Sequence, residues 1–296
     1  MAKVSILMNG YNAQKYLKEA IDSVYSQTYT DWELIFIDNC STDGTKDIID
    51  SYDQKIKYYK TEQNIPLGAA RNFGLQYCRG TYLSFLDTDD IWIEDKLERQ
   101  IRAMDDNIEF KLCYGSVIYI DKDSKKIGEM IPQSASGDVF SNQLKRYEIN
   151  MQSVVLRNDK KIQFNEELKH SPDFDLFMDI VSNSKIYVIN DFLVKYRKLE
   201  DSLTSKNISV WWSEMKYTLD RIFFEKPSLK NKYKIEYNLA YAKVAYNKAR
   251  YLMSIGEYNQ ATAELSKYKL SSPVYFLLYV MSFFPKSVWN TIHNYK

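Results

Sequence analysis

Residues 3–52 read KVSILMNGYNAQKYLKEAIDSVYSQTYTDWELIFIDNCSTDGTKDIIDSY. Lys3 to Asn9 is a short β-rich run, and Ala13 to Gln27 carries Leu17, Ile21 and Val24 at helical spacing, which predicts one strand–helix unit. A second run, Trp32 to Asp38, leads into Ser41-Thr42-Asp43-Gly44, where the serine can cap and the aspartate can favour a helix reaching Tyr52. Outward from there come strand Ile56–Lys60, helix Leu67–Cys78, strand Tyr82–Asp87, helix Glu94–Met104 and strand Lys111–Asp121. Such alternation predicts an α/β fold: a Rossmann-like, mostly parallel sheet with flanking helices, whose ligands sit beyond the carboxyl ends of the strands. Asp38 and Asp87 each close a strand at that edge.

Residues 122–160 are weaker in pattern. KDSKK and PQSASGD read as turns or loops, and the apolar runs Ser153–Leu156 and Lys185–Ile189 predict a mixed second half. Beyond Thr204 the pattern is helical over Trp211–Phe224, Ile235–Met253 and, after a turn at Gly256, Tyr258–Tyr268. The chain therefore divides into an α/β domain over 1–204 and an all-α C-terminal appendage over 205–296. The stretch AYNKARYLMSIGEYNQATAEL (245–265) looks like one helical hairpin without a second copy, so it reads as packing and not as a repeat array.

A length of 296 residues suggests about two domains, and 45% apolar and 27% charged residues are a folded-protein profile. Forty Lys+Arg and 39 Asp+Glu nearly cancel, but residues 1–204 hold 26 basic and 33 acidic groups (−7) while 205–296 hold 14 and 6 (+8). A basic tail on an acidic body points to an anionic partner such as membrane lipid or nucleic acid. The absence of any RNA- or DNA-reading motif disfavours nucleic acid. Cys40, Cys78 and Cys113 are odd in number and contain no CxxC pair, which argues against a disulfide framework or a cysteine zinc site and fits a reducing cytoplasm. The two histidines, His170 and His293, leave no His-rich metal cage. MAKVSILMNGYN lacks the pattern of a signal peptide, and the apolar run Val274–Phe284 is too short for a span, so a cytoplasmic protein is expected.

No Gly-x-x-x-x-Gly-Lys-Ser/Thr and no Gly-x-Gly occurs, which removes the P-loop and the dinucleotide fingerprint. What remains is acidic. Asp87-Thr88-Asp89-Asp90 follows an apolar strand, and three carboxylates at one strand end repel one another unless a cation intervenes. Mn²⁺ or Mg²⁺ suits carboxylate and phosphate oxygens. The alternative is an N-cap cluster before Ile91–Trp92.

VSILMNGYN (4–12), IDNCSTDGT (37–45), GAARNFGL (68–75) and FLDTDDIWIEDKLERQI (85–101) resemble, in order, the successive motifs of family 2 glycosyltransferases, which have the GT-A fold. The likeness continues more loosely through SPDFDLF (171–177) and LVKYRKLEDSLT (193–204) and leaves 205–296 outside. It implies inverting transfer of a sugar from a nucleotide-diphosphate donor, UDP-sugar first, to a glycan hydroxyl, assisted by a divalent cation. By this resemblance Asp38 contacts base and ribose, with Asn39 where the family more often has a second aspartate. Asn9 and Tyr11 line the base, in a run that lacks the family's usual proline, and Arg71 lies near the nucleotide. Asp87 and Asp89 supply the Asp-x-Asp motif across Thr88, with Asp90 as a third candidate metal ligand.

An inverting transfer also needs a base for the acceptor proton, and a carboxylate is the natural choice at a site without histidine. Asp173 is the candidate and Asp175 the backup, although Pro172 replaces the family's first acid. Tyr196-Arg197 matches a family signature, with Leu199 where histidine commonly follows, and Arg197 and Lys198 could face the leaving diphosphate. Each assignment has a structural alternative: an Asx turn at Asp38, a surface ion pair at Arg71, a core ring at Tyr11, a helix start at Asp173 and Asp175, and solvated charge at Arg197.

SSPVYFLLYVMSFFPKSVWNTIHNYK (271–296) has the composition of a segment lying in a membrane interface, the alternatives being a buried helix or a homodimer contact. The expected setting is the inner face of the cytoplasmic membrane, with a lipid-linked acceptor in O-antigen, capsule or related synthesis. A sugar-1-phosphate nucleotidyltransferase and a non-catalytic nucleotide-sugar-binding scaffold are the competing classes.

Overall fold

The computed structural model describes residues 2–159, 161–199, 208–284 and 289. The chain divides into two compact units, residues 1–139 with 148–200 and residues 140–147 with 201–296. In the first, β1 (Val4–Gly10), α1 (Gln14–Tyr25), β2 (Trp32–Asp38), α2 (Thr45–Asp50), β3 (Ile56–Lys60), α3 (Leu67–Leu75) and β4 (Tyr82–Phe85) follow one another in the expected alternation. Strands run β3-β2-β1-β4, all parallel, with Val4 opposite both Trp32 and Tyr82 and Gly10 opposite Asp38. β1 and β2 are covered on both faces, which is why they read as near-continuous apolar runs. The one acid inside this layer besides Asp38, Glu33, is held by Ser5 Oγ at 2.8 Å and by Lys57. α1 lays Leu17, Ala20, Ile21 and Val24 onto the core that includes Ile6, Met8, Leu34 and Phe36.

The second half of the sheet is mixed. β6 (Phe110–Ile120) pairs antiparallel with β7 (Lys126–Met130) and β8 (Val155–Arg157), β8 pairs antiparallel with β4, and β9 (Lys185–Arg197) runs parallel to β6. KDSKK is a turn, as expected, that of the β6–β7 hairpin, with Asp121 N–H donating to Lys125 O at 2.9 Å. Two expectations are corrected here. Ile91–Trp92 is a short strand, β5, paired antiparallel with β9, so α4 starts only at Lys96 and runs to Asp106. Ser41 does not cap α2, whose N-cap is Gly44, and Asp43 accepts instead from Thr45 N–H at 3.1 Å. β9 also runs eight residues past Ile189, because its far end has both β5 and β6 to pair with.

The helix Phe140–Lys145 (α5) groups with the C-terminal unit, where Phe140 packs against Phe223 and Tyr233 at 6.1 and 5.5 Å between ring centres. The other described helices of that unit are Ile208–Glu225, Pro227–Lys232, Lys234–Ser254, Tyr258–Ser266 and Pro273–Met281. Lys234–Ser254 and Tyr258–Ser266 form the expected hairpin, and Gly256 at φ +87° provides the left-handed turn that a side chain would resist. Ala249, Leu252, Met253, Ala261, Leu265, Leu278, Met281 and Trp289 make its core. The motif end 200–204 and most of 285–296 lie outside the described residues. Among the described helices none is long and apolar enough to cross a membrane.

Gly80, between α3 and β4, touches β1 backbone directly: an added Cβ would meet Ser5 N at 2.6 Å and Lys3 O at 2.9 Å. Backbone of a central strand cannot yield as a side chain does. Gly80→Ala is therefore expected to cost about 1–3 kcal/mol, read as a lowered urea midpoint at unchanged slope.

Candidate functional site

The carboxyl ends of β1, β2 and β4 are adjacent in the sheet, and the loops that leave them are tied together by polar contacts. Asn12 N–H donates to Ser41 Oγ at 2.9 Å, while Asn12 Oδ1 accepts from Thr42 N–H at 2.9 Å. Ala13 N–H donates to Thr45 Oγ1 and Gln14 N–H to Asp43 Oδ2, so the first orphan donors of α1 are satisfied by the neighbouring loop. Asn12 and Cys40 both take left-handed backbone, at φ 51° and 68°, to make this junction. Gly10 must be small there, since a Cβ would lie 3.0 Å from both Ala13 Cβ and Thr88 Cγ2.

Asp38 is fully buried and accepts from Ser41 N–H at 2.7 Å and from the Tyr58 hydroxyl at 2.6 Å, so the Asx-type turn is present. Asn39, expected at the base, is engaged within the chain. Its Nδ2 donates to Ile65 O at 2.8 Å, and its Oδ1 accepts from Ile65 N–H at 3.0 Å and Thr61 Oγ1 at 3.1 Å. Both acceptor positions are used, which leaves one N–H for any ligand. Tyr11 is 54% exposed and is no core ring.

Four residues of β4's exit carry the acidity. Asp87 is gripped reciprocally by Gln152, whose Nε2 donates to Asp87 Oδ2 at 2.6 Å while its Oε1 accepts Asp87 N–H at 2.8 Å. Arg71, buried on α3, brings Nη2 to 3.3 Å from Asp87 Oδ1 and Nε to 3.4 Å from Asn9 Oδ1, over the Phe164 ring. Its Nη1 is buried with no protein partner, so Arg71 is no surface ion pair and keeps a donor in hand. Burial, and next the charge of Asp87, push the Asp89 carboxyl up to about 6.

Asp90 and Arg197 depart from their expected roles. The Asp90 carboxyl, expected beside a metal, is sealed in and accepts the Arg197 N–H at 2.7 Å, and burial pushes it well above the usual carboxylate range. The Arg197 guanidinium, expected at the diphosphate, is a strut. Nε donates to Asp89 O at 2.8 Å, Nη1 to Asp121 O at 3.1 Å and Ser124 Oγ at 2.9 Å, and Nη2 to Glu19 Oε2 at 2.6 Å. Tyr16 covers it at 4.3 Å, and it is 2% exposed. Lys198 lies over the Tyr119 ring at 3.7 Å.

α6 (Pro172–Asn183) docks through Phe177 onto Phe85 of β4. That contact carries the helix start to the acidic turn: desolvation raises the carboxyl of half-buried Asp173, Arg71 draws it down and Asp87 pushes it up again. Asp175 is buried in the same first turn, with its backbone N–H on Ser171 O. The Tyr196 hydroxyl is raised by burial and then by Asp90, Asp87, Asp89 and Asp173.

Among the described residues no set of three or more Asp, Glu, His or Cys side chains is arranged to hold a metal ion. The donor set still fits a hard cation that relies on one or two carboxylates and on ligand phosphates, since Asp87 and Asp89 are mutually repulsive oxygen donors. Sequence reasoning missed Gln152 and Glu19. Neither lies in a recognisable motif, and each meets its partner across more than sixty residues of chain.

A model of the family described as "Glycosyl transferase family 2" matches residues 5–166. The Escherichia coli UDP-Glc:alpha-D-GlcNAc-diphosphoundecaprenol beta-1,3-glucosyltransferase WfgD is 34% identical over 241 residues, covering 79% of this chain and 91% of WfgD. The putative teichuronic acid biosynthesis glycosyltransferase TuaG of Bacillus subtilis is 29% identical over 238 residues, 75% of this chain and 90% of TuaG. In fold, the chain resembles the crystal structure of S. aureus TarS 1–349 with UDP-GlcNAc at a TM-score of 0.63 and 18% identity, over 99% of this chain and 92% of that one. With over half its length inside the family model and a 34% identical relative that covers 79% of it, this chain belongs to glycosyl transferase family 2 and is a glycosyltransferase.

Proposed function

We propose that the protein transfers a sugar from a UDP-sugar, with inversion, to a hydroxyl of a lipid-diphosphate-linked glycan during synthesis of a surface polysaccharide. The observation that carries this reading is the pairing of Arg71 with Asp87 beside the crowded Asp89 carboxyl, at the strand ends where a nucleotide diphosphate fits an α/β sheet. The buried, unpartnered Nη1 of Arg71 is the donor left for a phosphate oxygen, and on this reading Asp38, Asn39 and Tyr11 would meet the uridine. WfgD, by its name, takes UDP-Glc and a GlcNAc-diphosphoundecaprenol acceptor, and TuaG acts in teichuronic acid biosynthesis; these support the donor and the acceptor class.

Asp87 and Asp89 would hold Mn²⁺ or Mg²⁺ together with the donor diphosphate, and that ion supplies charge stabilisation to the departing UDP. Asp173 takes the proton of the acceptor hydroxyl as its oxygen bonds to the anomeric carbon and the bond from that carbon to the diphosphate oxygen breaks. The electron pair leaves with UDP. Arg71 would serve both ends of this change, since its charge opposes the effect of burial on the Asp173 carboxyl and its unpartnered N–H is left to meet the growing negative charge.

Asp173→Asn is expected to lower kcat about 10²–10⁴-fold with the donor affinity intact, as measured by turnover and by calorimetric titration of UDP with Mn²⁺. Asp89→Ala is expected to abolish the cation-dependent part of UDP stabilisation, which at a hundred times Kd amounts to about 2.7 kcal/mol in a thermal melt. Protonation of Asp89 competes with the cation, and its carboxyl titrates near about 6. Cation-dependent UDP stabilisation is therefore complete above that pH and declines about tenfold in affinity per pH unit below it. A profile flat down to pH 4 would remove Asp89 from the metal.

A further inference from the structure

We infer that the outer face of the helix Pro273–Met281, with Leu270 before it and Phe283 and Phe284 after it, is a docking surface for an anionic lipid bilayer. The helix is apolar on every side. Leu278 and Met281 face inward onto Ala249, Leu252, Met253, Ala261 and Leu265. At the alternate helical positions Val274, Phe276, Leu277 and Val280 face solvent, and with Leu270, Phe283 and Phe284 these side chains are 37% to 86% exposed. No charged residue occurs between Lys269 and Phe284. Seven large apolar side chains exposed within the fifteen residues Leu270–Phe284 mark an interaction site on a protein surface.

Three observations choose the occupant. A helix of nine residues is about 14 Å long, less than half of the bilayer core, so it can lie in the headgroup plane but not span it. The segment 205–296 carries 14 basic against 6 acidic residues, and Glu264, the acid nearest the helix, is already paired with Lys248 and Lys267. Two such cationic surfaces repel each other, whereas an anionic leaflet attracts each one, which favours lipid over a second copy of the chain. An in-plane apolar face beside Lys267 and Lys269 is the arrangement that binds such a leaflet. The inference adds a partner to the proposed reaction and rests on that reading only for the lipid nature of the acceptor.

The test is co-sedimentation of the full chain with phosphatidylcholine vesicles, with and without phosphatidylglycerol, beside analytical ultracentrifugation without lipid. Binding is expected to need phosphatidylglycerol and to weaken as salt rises. The double variant Phe276→Ser, Leu277→Glu is expected to weaken it by about tenfold or more, since each substitution removes a half-inserted apolar side chain. Leu270→Glu, at a position with nothing to unfold, is expected to weaken it more mildly, and both variants should keep the wild-type UDP shift. Unchanged binding in both variants, absent wild-type binding, or a dimer that these substitutions dissociate would overturn the proposal. Loss of transfer with vesicle binding intact would count against the reaction and leave the docking surface standing.

Discussion

Arg197, sealed from water at the end of β9, ties together three segments: its guanidinium reaches α1 through Glu19, the acidic turn through Asp89 O and the β6–β7 hairpin turn through Asp121 and Ser124, while its backbone N–H holds Asp90. Three carboxylates on four consecutive residues would otherwise splay toward solvent. Its charge acts to lower both Asp89 and Asp90, though burial and the neighbouring acids prevail and both remain raised. A buried charge is tolerable only when its donors are met, and Arg197 meets them with the main-chain carbonyls of Asp89, Asp121 and Lys122, a hydroxyl and a carboxylate. The turn is thus presented at a set height above the sheet before any ligand arrives.

On the open side of the same turn the second arginine does the complementary work. Arg71 is also buried, but its fork is half used, toward Asp87 and Asn9, and Nη1 is left over. Gln152 fixes Asp87 from the other flank with two hydrogen bonds, so the carboxylate is oriented by neutral and cationic donors together. One arginine is therefore a foundation and the other a contact, and the difference lies in how many of their donors the protein itself consumes. Burial first and the neighbouring Asp87 charge second raise the Asp89 carboxyl, and a cation placed between the two acids would offset the second of these.

The C-terminal unit poses the reverse situation, an excess of apolar surface. The helix Pro273–Met281 uses one side for the unit's own core and leaves the other in water, beside a surplus of lysines. The proposed catalysis and the proposed docking to a leaflet would draw on separate physics, charge in one unit and hydrophobic burial in the other.

Strand–helix alternation through β4, the parallel order of its strands, and Asp38 at the end of β2 were legible because periodicity and local composition act over a few residues; Asp87, read as closing its strand, lies two residues past the last residue of β4, Phe85. So were the C-terminal helices and the turn at Gly256. β5, β7 and the far half of β9 were not, because each exists through pairing with a strand distant in the chain, and a two-residue strand such as Ile91–Trp92 has no period to detect. The same division runs through the site. The order of the motifs singled out the acids and arginines proposed to serve a nucleotide-sugar. Only the tertiary structure decided that Arg197 and Asp90 are turned inward against each other, that Asn39 is spent on its own loop, and that Gln152, in no motif, holds Asp87. A side chain's type sets what it can donate or accept, but whether a donor is still free depends on every neighbour the fold brings to it, and those neighbours come from far along the chain.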